Sequence, residues 1–282
     1  QEGHVEVVSV LLEQGADINK AKNSGATPLY IASQKGHVEV VRMLLEQGAD
    51  INKARDNGCT PLYIASQNGH VDVVRMLLEQ GADINKAKDD GATPLFGASQ
   101  EGHVEVVRML LEQGADINKA RDSGATPLYI ASQNGHVEVV SVLLEQGADI
   151  DKAKGNGVTP LYIASQEGHV EVVSVLLEQG ADINKAKNSG ATPLYIASQK
   201  GHVEVVRMLL EQGADIDKAR DDGCTPLIMA SQEGHVEVVS VLLEQGADIN
   251  KAKNSGATPL YIASQKGHVE VVRMLLEQGA DI

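Results

Sequence analysis

Apolar residues in this chain fall into short blocks with helical spacing, and each block returns after 33 residues. Val38, Val41 and Leu44 share one helical face, and Leu29 and Ala32 share another. Turn-forming residues separate the two blocks. The pattern predicts two short amphipathic helices in every 33-residue unit.

The ends of both helices are marked in the sequence. Thr27 is a good N-cap, and the proline after it suits a first helical position, so helix one is predicted over about 28–34. Gly36 ends this helix in a left-handed cap, and Gly48 ends helix two, which is predicted over about 37–47. An Asn-Ser-Gly turn precedes helix one.

The period extends over the whole chain, because each histidine lies 33 residues from the next: His4, His37, His70, His103, His136, His169, His202, His235 and His268. A fixed period of this length predicts an all-α stacked-repeat solenoid with one continuous core. We expect a single array: a partial repeat over 1–19, seven full repeats over 20–250 and a nearly complete repeat over 251–282. The chain starts without Met and inside a repeat, so we expect it to be part of a longer array or to have lost its start.

The unit resembles an ankyrin repeat at Thr27-Pro28-Leu29, Ala32, Gly36-His37, Leu44-Leu45 and the run 48–52. The resemblance covers the whole chain. It implies a β-hairpin finger followed by two antiparallel helices, stacked into a curved array. It also implies protein–protein binding through the finger tips and the concave face formed by the first helices.

Three positions depart from the family pattern. Tyr30 replaces the usual His after Thr-Pro-Leu, Lys22 replaces the usual Asp before the turn, and Ser33 replaces the second Ala of an Ala-Ala pair. The first departure removes an imidazole that ties turns together. A tyrosine column supplies some of that packing, because its ring is apolar and its hydroxyl finds a polar partner.

Charge and composition exclude several classes of function. A net charge of −15 and a pI near 5.0 argue against nucleic acid as the main partner. No stretch of 18 apolar residues or signal peptide is present, so no membrane partner is expected. Cys59 and Cys224 stand at the same repeat position five units apart, beyond disulfide reach, and predict small buried side chains. We expect an intracellular, cytoplasmic protein.

No catalytic, metal or cofactor site is predicted. Successive histidines lie about one layer, roughly 10 Å, apart, too far to share a zinc ion. Glu39, Glu46 and Asp50 recur in most units, so no carboxylate pair is distinguished by its surroundings. The glycines mark turns and caps and build no phosphate loop. We therefore expect a non-enzymatic protein without cofactors.

Positions that vary between repeats are the candidates for partner binding. The first set lies at the predicted finger tips: Asn23, Ser24, Asp56, Asn57, Asp89, Asp90, Asp122, Ser123, Asn156, Asn188, Asp221, Asp222 and Asn254. The second set lies at the end of helix one: Lys35, Asn68, Glu101, Asn134, Glu167, Lys200, Glu233 and Lys266. Both sets lie on the face that ankyrin arrays use for partners.

The sequence favours a protein-interaction scaffold and leaves two alternatives. Residues 1–51, 166–216 and 232–282 are identical strings, which suits a structural spacer or elastic solenoid without a specific ligand. An engineered or reconstructed repeat protein is the second alternative. Both ends are broken repeats with apolar faces, so we also expect end-to-end self-stacking.

Overall fold

The computed structural model describes residues 4–282; the first three residues of the predicted partial repeat lie outside this range. The described residues form seventeen helices and no strand. The helices are α1 Val5–Glu13, α2 Pro28–Lys35, α3 Val38–Glu46, α4 Pro61–Gln67, α5 Val71–Glu79, α6 Pro94–Glu101, α7 Val104–Glu112, α8 Pro127–Asn134, α9 Val137–Glu145, α10 Pro160–Glu167, α11 Val170–Glu178, α12 Pro193–Lys200, α13 Val203–Glu211, α14 Pro226–Glu233, α15 Val236–Glu244, α16 Pro259–Lys266 and α17 Val269–Glu277. The predicted all-α repeat solenoid is confirmed.

Each first helix begins as the sequence predicts. The Thr27 hydroxyl accepts a hydrogen bond from the backbone N–H of Tyr30 at 3.2 Å, which satisfies one of the free donors of the first turn. The same bond begins α4, α6, α8, α10, α12, α14 and α16. Gly36 ends α2 with φ of 71°, a left-handed conformation that favours glycine.

The β-hairpin fingers implied by the resemblance are not confirmed as strands among residues 4–282. Each finger is a tight turn: Lys22 N–H donates to the Ala26 carbonyl at 3.0 Å, and Gly25 N–H donates to the Lys22 carbonyl at 2.9 Å. A finger this short makes too few ladder bonds for a regular strand pair.

The described chain divides into two compact units. Unit 1 comprises the residues up to Ala131 together with Glu138–Asp149, and unit 2 comprises Ser132–Val137 with Ile150–Ile282. In unit 1, the first helices α2, α4 and α6 pack in one row and the second helices α3, α5 and α7 in another. In unit 2, α10, α12, α14 and α16 form the first row and α11, α13, α15 and α17 the second.

The core of each unit lies between its two rows of helices. Leu29 and Val41 are fully buried in unit 1, and Leu194 and Val206 occupy the same repeat positions in unit 2. The tyrosine column is packed between repeats, since Tyr30 is only 2% exposed. Helices of seven to nine residues are marginal in isolation, so packing against the next repeat supplies most of their stability.

Gly97 interrupts α6 at a position where most repeats carry isoleucine, and a Cβ atom there would lie 3.3 Å from Tyr63 Cζ. Ile163 and Ile196 fit the same position in unit 2, so the layer accepts a side chain.

We expect Gly97→Ala to raise the free energy of unfolding by about 0.5–1 kcal/mol, because glycine is a poor helix former. Urea denaturation would measure this, with Gly155→Ala in an open finger as the control outside a helix. A lower midpoint for Gly97→Ala would show that the Tyr63 ring cannot move.

Candidate interaction surface

The finger tips form a hydrogen-bonded row within each unit. In unit 1, Asp56 N–H donates to the Ser24 carbonyl at 3.3 Å, and Asp89 N–H donates to the Asn57 carbonyl at 3.2 Å. In unit 2, Asn188 N–H donates to the Asn156 carbonyl at 3.0 Å. These bonds fix the spacing of neighbouring tips, while the predicted tip residues are exposed or half-exposed.

The predicted residues at the ends of the first helices are all exposed. The three acidic residues of this set each accept a hydrogen bond from the preceding glutamine side chain, as Glu101 does from Gln100 at 2.9 Å. Asn68 is different, because its amide donates to the Gln34 carbonyl of the preceding repeat at 2.8 Å. Whether the tips and the helix ends act as one surface stays a prediction.

The histidine column ties each repeat to its neighbour. His70 Nε2 lies 3.0 Å from the Gln34 carbonyl oxygen, and five further histidines make the same bond. The ring lies over Gly36, where a Cβ atom would be 2.7 Å from His70 Nδ1. Glycine therefore serves both the helix cap and the close approach of the imidazole. These histidines therefore have a structural role, since each joins its repeat to the preceding one.

A second set of hydrogen bonds between adjacent repeats joins the segments that follow the second helices. The Asn19 side chain accepts a hydrogen bond from Asp50 N–H at 2.9 Å, and the contact recurs with Asn or Asp in seven later repeats. The recurring histidines and the recurring Asn or Asp side chains thus bond mainly to the adjacent repeat.

Two predicted tip residues take part in ion pairs. Asp90 lies 3.4 Å from Arg121 and 3.7 Å from Lys88. Asp222 pairs with Arg220, whose Nε donates at 3.0 Å, and lies 3.8 Å from Lys253. Both carboxylates also accept a backbone N–H two residues on, at 3.1 Å. These side chains stabilise their own finger and are less available to a partner than Asp56 or Asp89.

A column of cations over aromatic rings links the fingers to the first helices, and sequence reasoning missed it. Arg55 lies 5.3 Å from the centre of the Tyr30 ring, and its Nη1 donates to the tyrosine hydroxyl at 3.3 Å. Four more pairs follow the same rule: Lys88–Tyr63, Arg121–Phe96, Lys187–Tyr162 and Arg220–Tyr195. The sequence does contain a signal for this column: an aromatic residue replaces the family's His and a cation replaces its Asp in the same repeats.

Burial and pairing shift the acidity of these groups. Burial raises the pKa of the Tyr30, Tyr63 and Tyr195 hydroxyls and of the Cys59 and Cys224 thiols. Hydrogen bonding to Arg220 lowers the pKa of Asp222 to about 2. The tyrosines and cysteines stay neutral and Asp222 stays charged at neutral pH. Both cysteines are buried free thiols.

Among residues 4–282, no group of three His, Cys, Asp or Glu side chains has metal-binding geometry. Within that range no helix is long and apolar enough to cross a membrane.

Comparison with known proteins decides the family. A family model described as ankyrin repeats (3 copies) matches residues 1–55, 52–121, 86–154, 118–187, 151–220 and 215–282. The chain belongs to the ankyrin repeat family. Among solved structures, the ankyrin repeat domain of human ASB11 has a TM-score of 0.72 and 32% identity, covering 79% of this chain and 99% of that one. No curated protein sequence matches.

Membership of the ankyrin repeat family indicates the general class of function. Ankyrin repeats are in general protein–protein interaction modules and typically non-enzymatic scaffolds. In this ankyrin fold, backbone hydrogen bonds join neighbouring fingers, and the side chains of the candidate surface at their tips are exposed or half-exposed.

The Arg220–Asp222 pair has a defined pH window. The folded-state pKa of Asp222 lies below its ordinary value, so the pair's stabilisation is complete above about pH 5 and is lost as the pH falls from about 4 to about 2. Both side chains are 37% exposed, so we expect Asp222→Asn to cost at most about 1 kcal/mol at pH 7.

Urea midpoints of the parent and Asp222→Asn should therefore converge at low pH. Glu211→Gln, at an exposed carboxylate, reports the effect of removing one negative charge. A difference between parent and Asp222→Asn that persists unchanged to pH 2 would contradict the ion pair.

Proposed function

We propose that the chain is a non-enzymatic scaffold that binds a protein partner along the finger tips and the ends of the first helices. The observation that carries the proposal is the tied row of finger tips, in which the backbone is held by N–H···O bonds and the side chains face outward. Such a surface is preorganised, which lowers the entropy cost of binding.

The chemistry of the surface favours a polar partner. Every tyrosine except Tyr261 is packed between repeats, so the large aromatic anchors that dominate many interfaces are absent from the fingers. The predicted surface carries Asp, Glu, Asn and Ser with a few lysines. Recognition would then rest on hydrogen bonds and charge, and a partner with basic side chains suits the net charge of −15.

A spacer without a specific ligand is the second candidate. Three identical 51-residue strings favour it, because a spacer needs length rather than different side chains. A cytoplasmic location belongs to the first proposal, and the two free thiols support it.

A pull-down at physiological salt distinguishes the two. One bait is the native chain; the second has every predicted tip and helix-one-end residue changed to the commonest residue at that position. A third bait carries the same number of changes on exposed positions of the second helices, such as Arg42, Arg75 and Arg108. A protein retained by the first and third baits and lost by the second supports the scaffold. Equal retention by all three, or none, favours the spacer.

We also propose weak end-to-end self-association at high concentration. Its support is the exposed apolar surface at both ends, including Val7 and Leu11 at one end and Tyr261, Val269 and Leu276 at the other. Sedimentation velocity over a wide concentration range should show an average mass that rises with concentration. A strict monomer throughout contradicts this proposal and leaves the scaffold proposal untouched.

A further inference from the structure

Two fingers of the chain differ in sequence at a single position. The segments 53–62 and 218–227, each of which contains a finger and the start of the helix after it, are identical except that the first has Asn57 where the second has Asp222. Both segments have an arginine two residues before this position and a buried cysteine two residues after it. The chain therefore contains the same finger once with an amide and once with a carboxylate.

The carboxylate form has a complete set of partners. Asp222 Oδ1 accepts hydrogen bonds from the backbone N–H of Cys224 at 3.1 Å and from Arg220 Nε at 3.0 Å. The ammonium group of Lys253, at the base of the next finger, lies 3.8 Å from Asp222 Oδ2. Two hydrogen bonds and two cations thus hold this side chain.

The amide form uses only part of the same set. Asn57 Oδ1 accepts the backbone N–H of Cys59 at 3.2 Å. The buried Nε of Arg55, which is the counterpart of Arg220, has no hydrogen-bond partner among residues 4–282. A buried donor without an acceptor costs stability. The finger is therefore arranged to hold a carboxylate and contains its amide.

The residue after Asn57 allows the amide to become that carboxylate. In an asparagine–glycine pair, the glycine nitrogen attacks the carbonyl carbon of the asparagine side chain, and glycine has no side chain to hinder the attack. The glycine N–H gives its proton to hydroxide, ammonia leaves the carbon, and a succinimide forms. Water then opens the succinimide to aspartate or isoaspartate. Overall the reaction consumes water and releases ammonia. Asparagine–glycine pairs begin at Asn57, Asn68, Asn134 and Asn156.

The contacts of the Asn57 side chain favour this reaction. The ring closed by the hydrogen bond from Cys59 N–H to Asn57 Oδ1 contains the Gly58 nitrogen, so the side chain folds toward the attacking atom. Oδ1 is also the atom that becomes negative during the attack. The Cys59 N–H and the cation of Arg55 stabilise negative charge there, as their counterparts do for Asp222.

Asn68, in the same repeat, is held differently. Its Nδ2, the nitrogen that would leave, donates to the Gln34 carbonyl at 2.8 Å and fixes the amide against the preceding repeat. The N–H groups of Gly58 and Gly69 each donate to a backbone carbonyl, at 3.0 and 3.3 Å. Folding therefore slows attack at both asparagines, and the side-chain contacts are what distinguish them.

We propose that Asn57 is a modification site, which converts spontaneously to aspartate in the folded protein faster than Asn68 does. The product finger makes the contacts seen at Asp222, with the new carboxylate held by Cys59 N–H and by Arg55. The conversion adds a negative charge at the finger tip. It needs only water, so it does not depend on the partner binding proposed above.

The test follows the full chain during several weeks at neutral pH. Cleavage after Arg55 and Arg75 releases the fragment 56–75, which contains both Asn57 and Asn68, and tandem mass spectrometry measures the acid formed at each. We expect aspartate and isoaspartate to accumulate several times faster at Asn57. In concentrated urea, where the folded contacts are absent, the two asparagines should convert at similar rates.

Variants test the role of the finger directly. Arg55→Gln removes a positive charge a few ångströms from the reacting oxygen and should slow conversion of Asn57 by about fivefold. Arg108→Gln removes an exposed arginine from a second helix and should convert like the parent chain. Circular dichroism checks that both variants fold. Asn57→Asp supplies the product finger itself and should have at least the urea midpoint of the parent at neutral pH.

Four results would overturn the proposal. The first is equal conversion of Asn57 and Asn68 in the folded chain. The second is the same excess at Asn57 in urea, which would assign the preference to the neighbouring residues in sequence. The third is conversion in Arg55→Gln at the rate of the parent or above it. The fourth is a lower urea midpoint for Asn57→Asp, which would show that the finger does not hold the carboxylate.

Discussion

Burial of each repeat by the next is the interaction on which the rest of the structure depends. The helices have seven to nine residues, too few to be stable alone in water, so their apolar faces need a neighbour. Tyr195 and Tyr261 show the effect directly: both follow Thr-Pro-Leu in the same sequence context, yet the first is 2% exposed beneath the following repeat and the second is 58% exposed. Burial, ring stacking and the raised tyrosine pKa are therefore properties of a repeat and its neighbour together, and a repeat sequence by itself does not determine them.

Packing between adjacent repeats also determines which polar groups stay free of contacts within the protein. The histidine imidazoles, the Asn or Asp side chains before each finger and the finger N–H groups all bond to the adjacent repeat. These positions hardly change along the chain because each contact has the same geometry at every step. The tip side chains make less uniform contacts: Asn188 and Asn254 donate to the preceding finger, whereas Asp90 and Asp222 bind cations. Packing therefore constrains the tips less strictly than the recurring positions.

Much of the fold follows from sequence because its signals are local. Thr-Pro at the start and glycine at the end specify each first helix within one turn, and the observed α2 differs from the predicted range by one residue. Contacts between repeats are harder to predict. The Arg55–Tyr30 stacking depends on the position of a finger relative to the preceding helix, which no single repeat encodes. The candidate surface shows the same limit: Asp90 and Asp222 resemble the other acidic tips in sequence, but cations on their own and the next finger bind them.

The paired departures from the family pattern have a physical logic. At these two positions a buried aromatic ring and a cation at the finger base replace the family's usual histidine and aspartate. The ring contributes apolar area to the core, and the cation covers its face while keeping contact with water. The cation also binds the second acidic tip residue where one is present, as Arg220 does with Asp222. A substitution at the base of a finger therefore changes the charge displayed at its tip, so core packing and tip charge in this array are coupled through the same arginine and lysine side chains.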